Sequence, residues 1–263
     1  MTRKRLLIGG GVVVIAIITV AIVLVWLLLL RDDSPPPVSL EGAVSSRQDE
    51  TTPDTATPSP TAEGTEAATA AATATAASQP EAQPAGIDGT WTLADGEESF
   101  VGYRVEEELA TIGYKEAVGR SPTIEATITI EGGQLTGVLV TADLRDLKSD
   151  DPRRDGAIRN QALESNAFPM ATFELTEPVA VPPGLAEGEP ISIEANGTLT
   201  LHGVTRPVTI PIEGKLEDGL MVVVGSIPIV FADYDIDQPR SPILVSIEDN
   251  GVMELQLFLV RGP

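Results

Sequence analysis

From Ile191 to Leu201 the chain reads Ile-Ser-Ile-Glu-Ala-Asn-Gly-Thr-Leu-Thr-Leu: every odd position is apolar or glycine and every even position is polar. Successive side chains of a strand point to opposite faces, so this stretch can bury one face and wet the other. That is an antiparallel strand lying on a core, since a parallel strand sandwiched between helices would be apolar throughout. Thr123–Glu131 alternates in the same way, with Ile124, Ala126, Ile128 and Ile130 on one face, and so do Met253, Leu255, Leu257 and Leu259. Further strands are expected at Ser99–Glu106, Val138–Leu144, Thr172–Leu175, Pro207–Glu213, Leu220–Phe231 and Ile243–Glu248. Turn signals separate them, among them Glu131-Gly132-Gly133, Asp218-Gly219 and Asp249-Asn250-Gly251. One segment breaks the rhythm: Pro152 opens a helical stretch to about Ser165, with Asp150 or Asp151 as its cap. The expectation is a mainly β domain of about eight antiparallel strands and one short helix, closed into a barrel. Such a barrel is just wide enough to be filled by side chains or to hold one small apolar ligand.

The rest of the chain is of a different kind. Residues 6–30 carry no charge. At ~1.5 Å rise per residue they outreach the ~30 Å hydrocarbon core of a bilayer, and a helix satisfies its own backbone there. The run closes on Leu27-Leu28-Leu29-Leu30 and Arg31-Asp32-Asp33 without a small-residue cleavage pattern, so an uncleaved transmembrane helix is expected rather than a signal peptide. Arg3, Lys4 and Arg5 precede it and Asp32 and Asp33 follow it, which sets residues 1–5 in the cytoplasm and everything beyond the helix outside it. Residues 31–86 are rich in Pro, Ala and Thr, lack aromatic residues and have almost no large aliphatic ones, so a disordered linker is expected. As a coil it would span roughly 40 Å, and fully extended roughly 185 Å. Residues 87–263 then form the β domain. The expected protein is single-pass in the cell membrane, with its barrel in the extracytoplasmic cell envelope.

Composition narrows the chemistry. Lys and Arg number 17 against 39 Asp and Glu, a net charge of −22, which repels nucleic acid. The chain has no cysteine and one histidine, so neither a disulfide nor a His/Cys metal site is available, and no cofactor is expected. His202 sits in Leu201-His202-Gly203-Val204, a turn between strands, where histidine ordinarily makes a hydrogen bond or faces solvent. The carboxylates of Asp233, Asp235 and Asp237 lack EF-hand spacing. Enzymatic activity would have to rest on His202 and Asp155, and none is expected. What remains is an apolar barrel interior, where an apolar ligand gains ~25 cal/mol for each Å² removed from water.

Three stretches carry a family resemblance. Ser99-Phe100-Val101-Gly102-Tyr103-Arg104-Val105, after Trp91-Thr92-Leu93, is similar to a first long strand written S-x-v-x-F-x-v. Arg154-Asp155 followed by Phe168-Pro169-Met170-Ala171-Thr172-Phe173 is similar to an R-D … F … P-x-x-x-F segment. Gly197-Thr198-Leu199-Thr200-Leu201-His202-Gly203-Val204-Thr205-Arg206-Pro207-Val208 matches G-x-L-T-l-x-G-v-T-k-P-v, the most specific of the three. In this order they resemble the YceI-like, or lipid/polyisoprenoid-binding, family over nearly all of residues 87–263. The resemblance implies a lipocalin-like barrel that binds a long isoprenoid or similar lipid, with no enzyme activity. Two departures stand out: Phe231-Ala232-Asp233-Tyr234-Asp235 replaces the family's R-s-d-F-G, and Ala157 stands where a histidine is expected after Arg-Asp.

Alternation and resemblance together nominate an interior, ligand-binding set: Val101, Tyr103, Val105, Ile128, Val140, Phe173, Leu199, Ile210, Val224 and Leu257. The expected partners are a long-chain lipid or isoprenoid in the barrel and the membrane through the N-terminal helix. The same residues would equally make the core of a filled barrel, a structural or interaction module with no ligand.

Overall fold

A computed structural model describes residues 34–51, 86–111 and 113–262. The expected spanning helix at 6–30 and the expected cytoplasmic residues 1–5 lie outside the described residues, as do residues 52–85 of the linker. Among the described residues no helix is long and apolar enough to cross a membrane.

The β domain is one antiparallel sheet of twelve strands. In chain order they are β1 (Gly89–Leu93), β2 (Phe100–Leu109), β3 (Gly113–Ser121), β4 (Ile124–Glu131), β5 (Gln134–Asp143), β6 (Met170–Leu175), β7 (Val179–Ala180), β8 (Ile191–Leu201), β9 (Val204–Glu217), β10 (Leu220–Val230), β11 (Leu244–Ile247) and β12 (Asn250–Arg261). Eight of them close a ring in the order β1-β4-β5-β6-β8-β9-β10-β12, and β12 returns to β1. The long hairpins set the register: β8 and β9 pair from Ile191↔Gly214 to Leu201↔Val204 around a two-residue turn. His202 and Gly203 there both have positive φ, 50° and 76°, as a type I′ turn requires.

The ring closes on a shared edge. Val260 and Leu259 of β12 face Thr92 and Leu93 of β1, while Val252–Gln256 of the same strand face Arg104–Phe100 of β2. β2 then carries β3 along its other edge and β11 beyond the end of β12. Strands β2, β3 and β11 thus prolong one end of the barrel as a flap. The helical stretch covers that end: α2 (Pro152–Ala157), capped by the Asp151 side chain on the Arg153 N–H at 2.8 Å, runs into a π-helical turn at Ile158–Ala162.

Most expected strands stand where the alternation put them. Strands β1, β3 and β7 lie outside the stretches that periodicity marks as strands. β3 alternates, but its inner face carries Lys115, Ala117 and Gly119 and its outer face Tyr114, Glu116 and Val118, so hydrophobicity does not follow the pleat.

The linker departs from expectation. Within 31–86, expected to be disordered throughout, Leu40–Thr51 is an α-helix, α1. Ser39 caps it, its Oγ accepting the Gly42 N–H at 3.1 Å. Leu40, Ala43 and Val44 form a short apolar stripe at i, i+3, i+4 spacing and pack on the outer wall against Leu220, Val222, Val224 and Phe258. Ahead of the helix, the Ser34 hydroxyl donates to the Glu116 carbonyl and the Val38 N–H donates to Glu254 Oε1 at 3.3 Å.

Beneath that strap lies a buried ion cluster. Arg104 is 6% exposed and Glu254 2%. The Arg104 guanidinium donates to both Glu254 oxygens, at 2.9 and 3.2 Å, and to Glu116 Oε2 at 2.5 Å. Burial alone would lower the Arg104 pKa, but hydrogen bonds and charge from Glu254 and Glu116 outweigh it and hold the pKa above its ordinary value. Removing one partner of such a pair strands the other charge. Arg104→Ala is expected to lose about 3–5 kcal/mol in urea unfolding. The double change with Glu254→Leu should recover most of that loss; equal instability of the two variants would contradict the assignment.

Candidate functional site

The interior holds two apolar spaces. The larger, about 170 Å³, lies under the flap at the α2 end, with Val101, Tyr103, Val105, Leu147, Ile158 and Ile229 among its lining. The smaller, about 60 Å³, lies deeper in the ring, between Ile128, Val140, Phe173, Ile210, Val223 and Leu257. Met253 lines the larger space and packs against the clusters around both. Leu199, 2% exposed, belongs to the interior cluster on the α2 side.

Nine of the ten nominated residues therefore face the interior. Val224 does not. On β10 it shares its face with Val222, the face that α1 covers; Val223 is the residue that points inside. The run Leu220–Val224 is buried on both faces, so its sequence gives no alternation from which to choose.

Two aromatic side chains owe their positions to glycines across the ladder. A Cβ at Gly119 would fall on the Tyr103 ring, and a Cβ at Gly197 would come within 2.6 Å of the Phe173 ring. The Tyr103 hydroxyl is buried without a well-formed hydrogen bond, with Ser149 beside it but outside good geometry, and burial pushes its pKa well above the usual phenol value.

A chain of ion pairs, Lys115–Asp150–Arg154–Glu107, runs along the rim of the larger space. Glu107 and Lys115 project from paired positions on β2 and β3, and Asp150 and Arg154 come from the α2 end. Lys115 Nζ lies 2.5 Å from Asp150, while Arg154 pairs with both Asp150 and Glu107. Burial works against the Arg154 charge, but Glu107 and Asp150 more than offset it, so its pKa rises. Asp155 accepts from the Ser149 N–H at 2.9 Å and hydroxyl at 2.6 Å. The Arg154-Asp155 pair thus fastens the helix over the cavity, and Ala157, in the place of the family's histidine, lines that cavity. Asp235, in the place of the family's glycine, has φ 53°, a left-handed conformation that aspartate tolerates.

His202 is spoken for. It is 8% exposed, its Nδ1 lies 3.0 Å from the Tyr234 carbonyl and its Nε2 3.3 Å from Glu164, and Phe168 meets it edge-on at 4.6 Å. Among the described residues no three His, Cys, Asp or Glu side chains gather to hold a metal.

Taken together, these features define a closed antiparallel barrel with an apolar interior under a helical lid. The YceI-like domain family matches residues 91–259, and the chain belongs to that family. A UPF0312 protein of Enterobacter sp. (strain 638) is 31% identical over 125 residues, which cover 46% of this chain and 58% of the relative. Protein YceI of Salmonella arizonae is 30% identical over the same shares. The chain thus spans 58% of the length of these curated relatives. Among solved structures, a polyisoprenoid binding domain from Saccharophagus degradans, implicated in plant cell wall breakdown, superposes with a TM-score of 0.50 at 19% identity. That match covers 65% of this chain and 98% of the other, and it shows a shared fold.

The rim also gives a pH dependence. Burial opposes the Asp150 charge, but Lys115 and Arg154 outweigh it and hold the carboxyl below its ordinary value. The Arg153 N–H holds Asp151 low in the same way. Depressed folded-state values mean stabilisation that is complete above the unfolded carboxylate value and is lost as pH falls through the folded ones. Hydrogen exchange should therefore show residues 152–162 losing protection between about pH 5 and pH 3, ahead of strands β8 and β9. Simultaneous loss in helix and strands would contradict this role for the rim.

Proposed function

We propose that this protein is a binding protein that holds a long-chain lipid or isoprenoid in the barrel interior, anchored to the cell membrane by residues 6–30 with the barrel outside the cytoplasm. One observation carries the reading: a closed barrel of this family holds an apolar space of about 170 Å³ whose charged lining residues are paired, Arg154 with Glu107 and Arg153 with Asp151. An apolar chain gains most in such a space, because burial of its surface strands no unpaired charge and meets one unbonded polar atom, the Tyr103 hydroxyl. The description of the Saccharophagus relative as polyisoprenoid binding supports the same class of ligand.

The volume adds a condition. Ligand pockets ordinarily enclose ~300–1,000 Å³. The two interior spaces hold about 170 and 60 Å³, so a long chain needs them joined. Met253 stands between them, and an unbranched thioether repacks more readily than a branched side chain. Met253→Ala is expected to tighten binding of a long-chain isoprenoid alcohol several-fold, while Ala157→Trp at the cavity lining should abolish it. Titration with a fluorescent isoprenoid reads both, and unchanged affinity in the two variants would remove the cavity from the mechanism.

The same volumes favour one other reading, a filled barrel that serves as a structural or interaction module of the cell envelope. Mass spectrometry of lipid extracted from the purified protein separates the two. A copurifying isoprenoid, quinone or other long-chain lipid is the expected result. Absence of any such lipid, together with no binding in titration, would leave the filled barrel.

A further inference from the structure

The strap ahead of α1 is fastened at one particular end of the barrel. Ser34 bonds to the Glu116 carbonyl on β3, Val38 to Glu254 on β12, and Arg47, near the far end of α1, reaches Glu97. The strap therefore enters at the flap end and leads away from it. Three residues separate Leu30, the last of the uncharged stretch, from Ser34. The four Cα–Cα steps between them reach at most ~14 Å. The chain that emerges from residues 6–30 must meet the barrel beside the flap, not at the end of a long tether.

That flap carries the two most exposed large apolar side chains among the described residues, Tyr114 at 79% and Val245 at 59%, and beside them Ile243 at 39%. Tyr114 lies two positions from Glu116 along β3, roughly 7 Å. It pairs with Glu108 of β2, which neighbours Ser246 of β11, so the apolar residues span three adjacent strands, roughly 10 Å across. Ile243 also lines the larger interior space. An exposed apolar rim, the opening of an apolar cavity and the entry point of the strap thus coincide at one end of the molecule.

We infer that the β3–β2–β11 flap is a membrane-contact surface, and that the barrel stands with its cavity end on the bilayer from which residues 6–30 emerge. The inference rests on the reading of residues 6–30 as a membrane span. The partner is the headgroup and upper acyl region of a lipid bilayer, where tyrosine and aliphatic side chains on a rim partition favourably. The contact need not be strong in itself, since the span makes it intramolecular and the local concentration of bilayer high. Glu106 and Glu108 share the outer face with Tyr114, so the surface suits zwitterionic lipid better than anionic lipid. A ligand drawn from the membrane would then enter the cavity without crossing water.

The absence of cysteine allows a direct test with the full chain in phosphatidylcholine vesicles that contain a nitroxide-headgroup lipid. A fluorophore is placed by Val245→Cys on the flap or by Gln134→Cys at the opposite end of the barrel. The flap label is expected to be quenched several-fold more than the far label. Adding Tyr114→Asp should reduce the flap quenching while the melting temperature and vesicle flotation stay unchanged. Equal quenching at both positions in a chain that floats with the vesicles overturns the inference and leaves the span standing. A chain that does not float overturns both. Neither result bears on whether lipid copurifies with the barrel, which is decided separately.

Discussion

The pairing of β12 with two strands at once holds the molecule in one piece. Its outer edge meets β1 through Leu259–Arg261 and β2 through Val252–Gln256, so a single strand both closes the ring and carries the flap. Its inner face supplies Leu255, Leu257 and Leu259 to the interior, and its outer face supplies Glu254 and Phe258 to the wall under the strap. The strand is thus apolar inside and adds Phe258 to the apolar wall outside. Wet on that outer side, it would still close the barrel, but α1 would rest on Leu220, Val222 and Val224 of β10 alone.

Much of the β architecture was legible because burial on one face writes itself into the sequence with period two. Ile191–Leu201 is the plainest case, and the strand occupies those residues. Legibility fails where the physical premise fails. Leu220–Val224 is buried on both sides, so the position of Val224 depends on α1, an element far away in sequence. β3 turns Lys115, Ala117 and Gly119 to its inner face, of which Ala117 lines the cavity, because that face supplies an ion pair and space for the Tyr103 ring rather than hydrophobic bulk. Helix α1 was hidden for a related reason. Its stripe of Leu40, Ala43 and Val44 is too short to stand out from a Pro/Ala/Thr-rich background. Its stability comes from the surface it meets rather than from its own propensity. The unbroken apolar run of β10 was the available signal that something would cover the outer wall.

The candidate site shows the same division. The interior faces of the nominated strands follow from alternation, and nine of the ten residues point inward. In the ion-pair chain of Lys115, Asp150, Arg154 and Glu107 only the Asp150–Arg154 link, four residues apart, is local; the links to Lys115 and Glu107 exist only because the fold brings β2 and β3 against the helix start. In a chain with 39 acidic residues, the few that are buried or paired cannot be told from the many that are solvated until their neighbours are known. Glu254, at 2% exposure, is indistinguishable in sequence from its solvated counterparts.

The docked strap changes the topology of the chain in a way that bears on its turnover. α1 ends at Thr51 on the barrel wall and the Gly86 carbonyl is held by Arg261, so the residues on both sides of 52–85 are tied to the same barrel. A protease that cuts within a plain tether sheds the domain at once. A cut between α1 and β1 leaves the barrel gripped by the Leu40 stripe and the Val38–Glu254 hydrogen bond. With residues 6–30 as the anchor proposed above, release then becomes a dissociation governed by that packing, and the lifetime of the nicked protein at the membrane is set by the wall of β10 and β12 rather than by the protease.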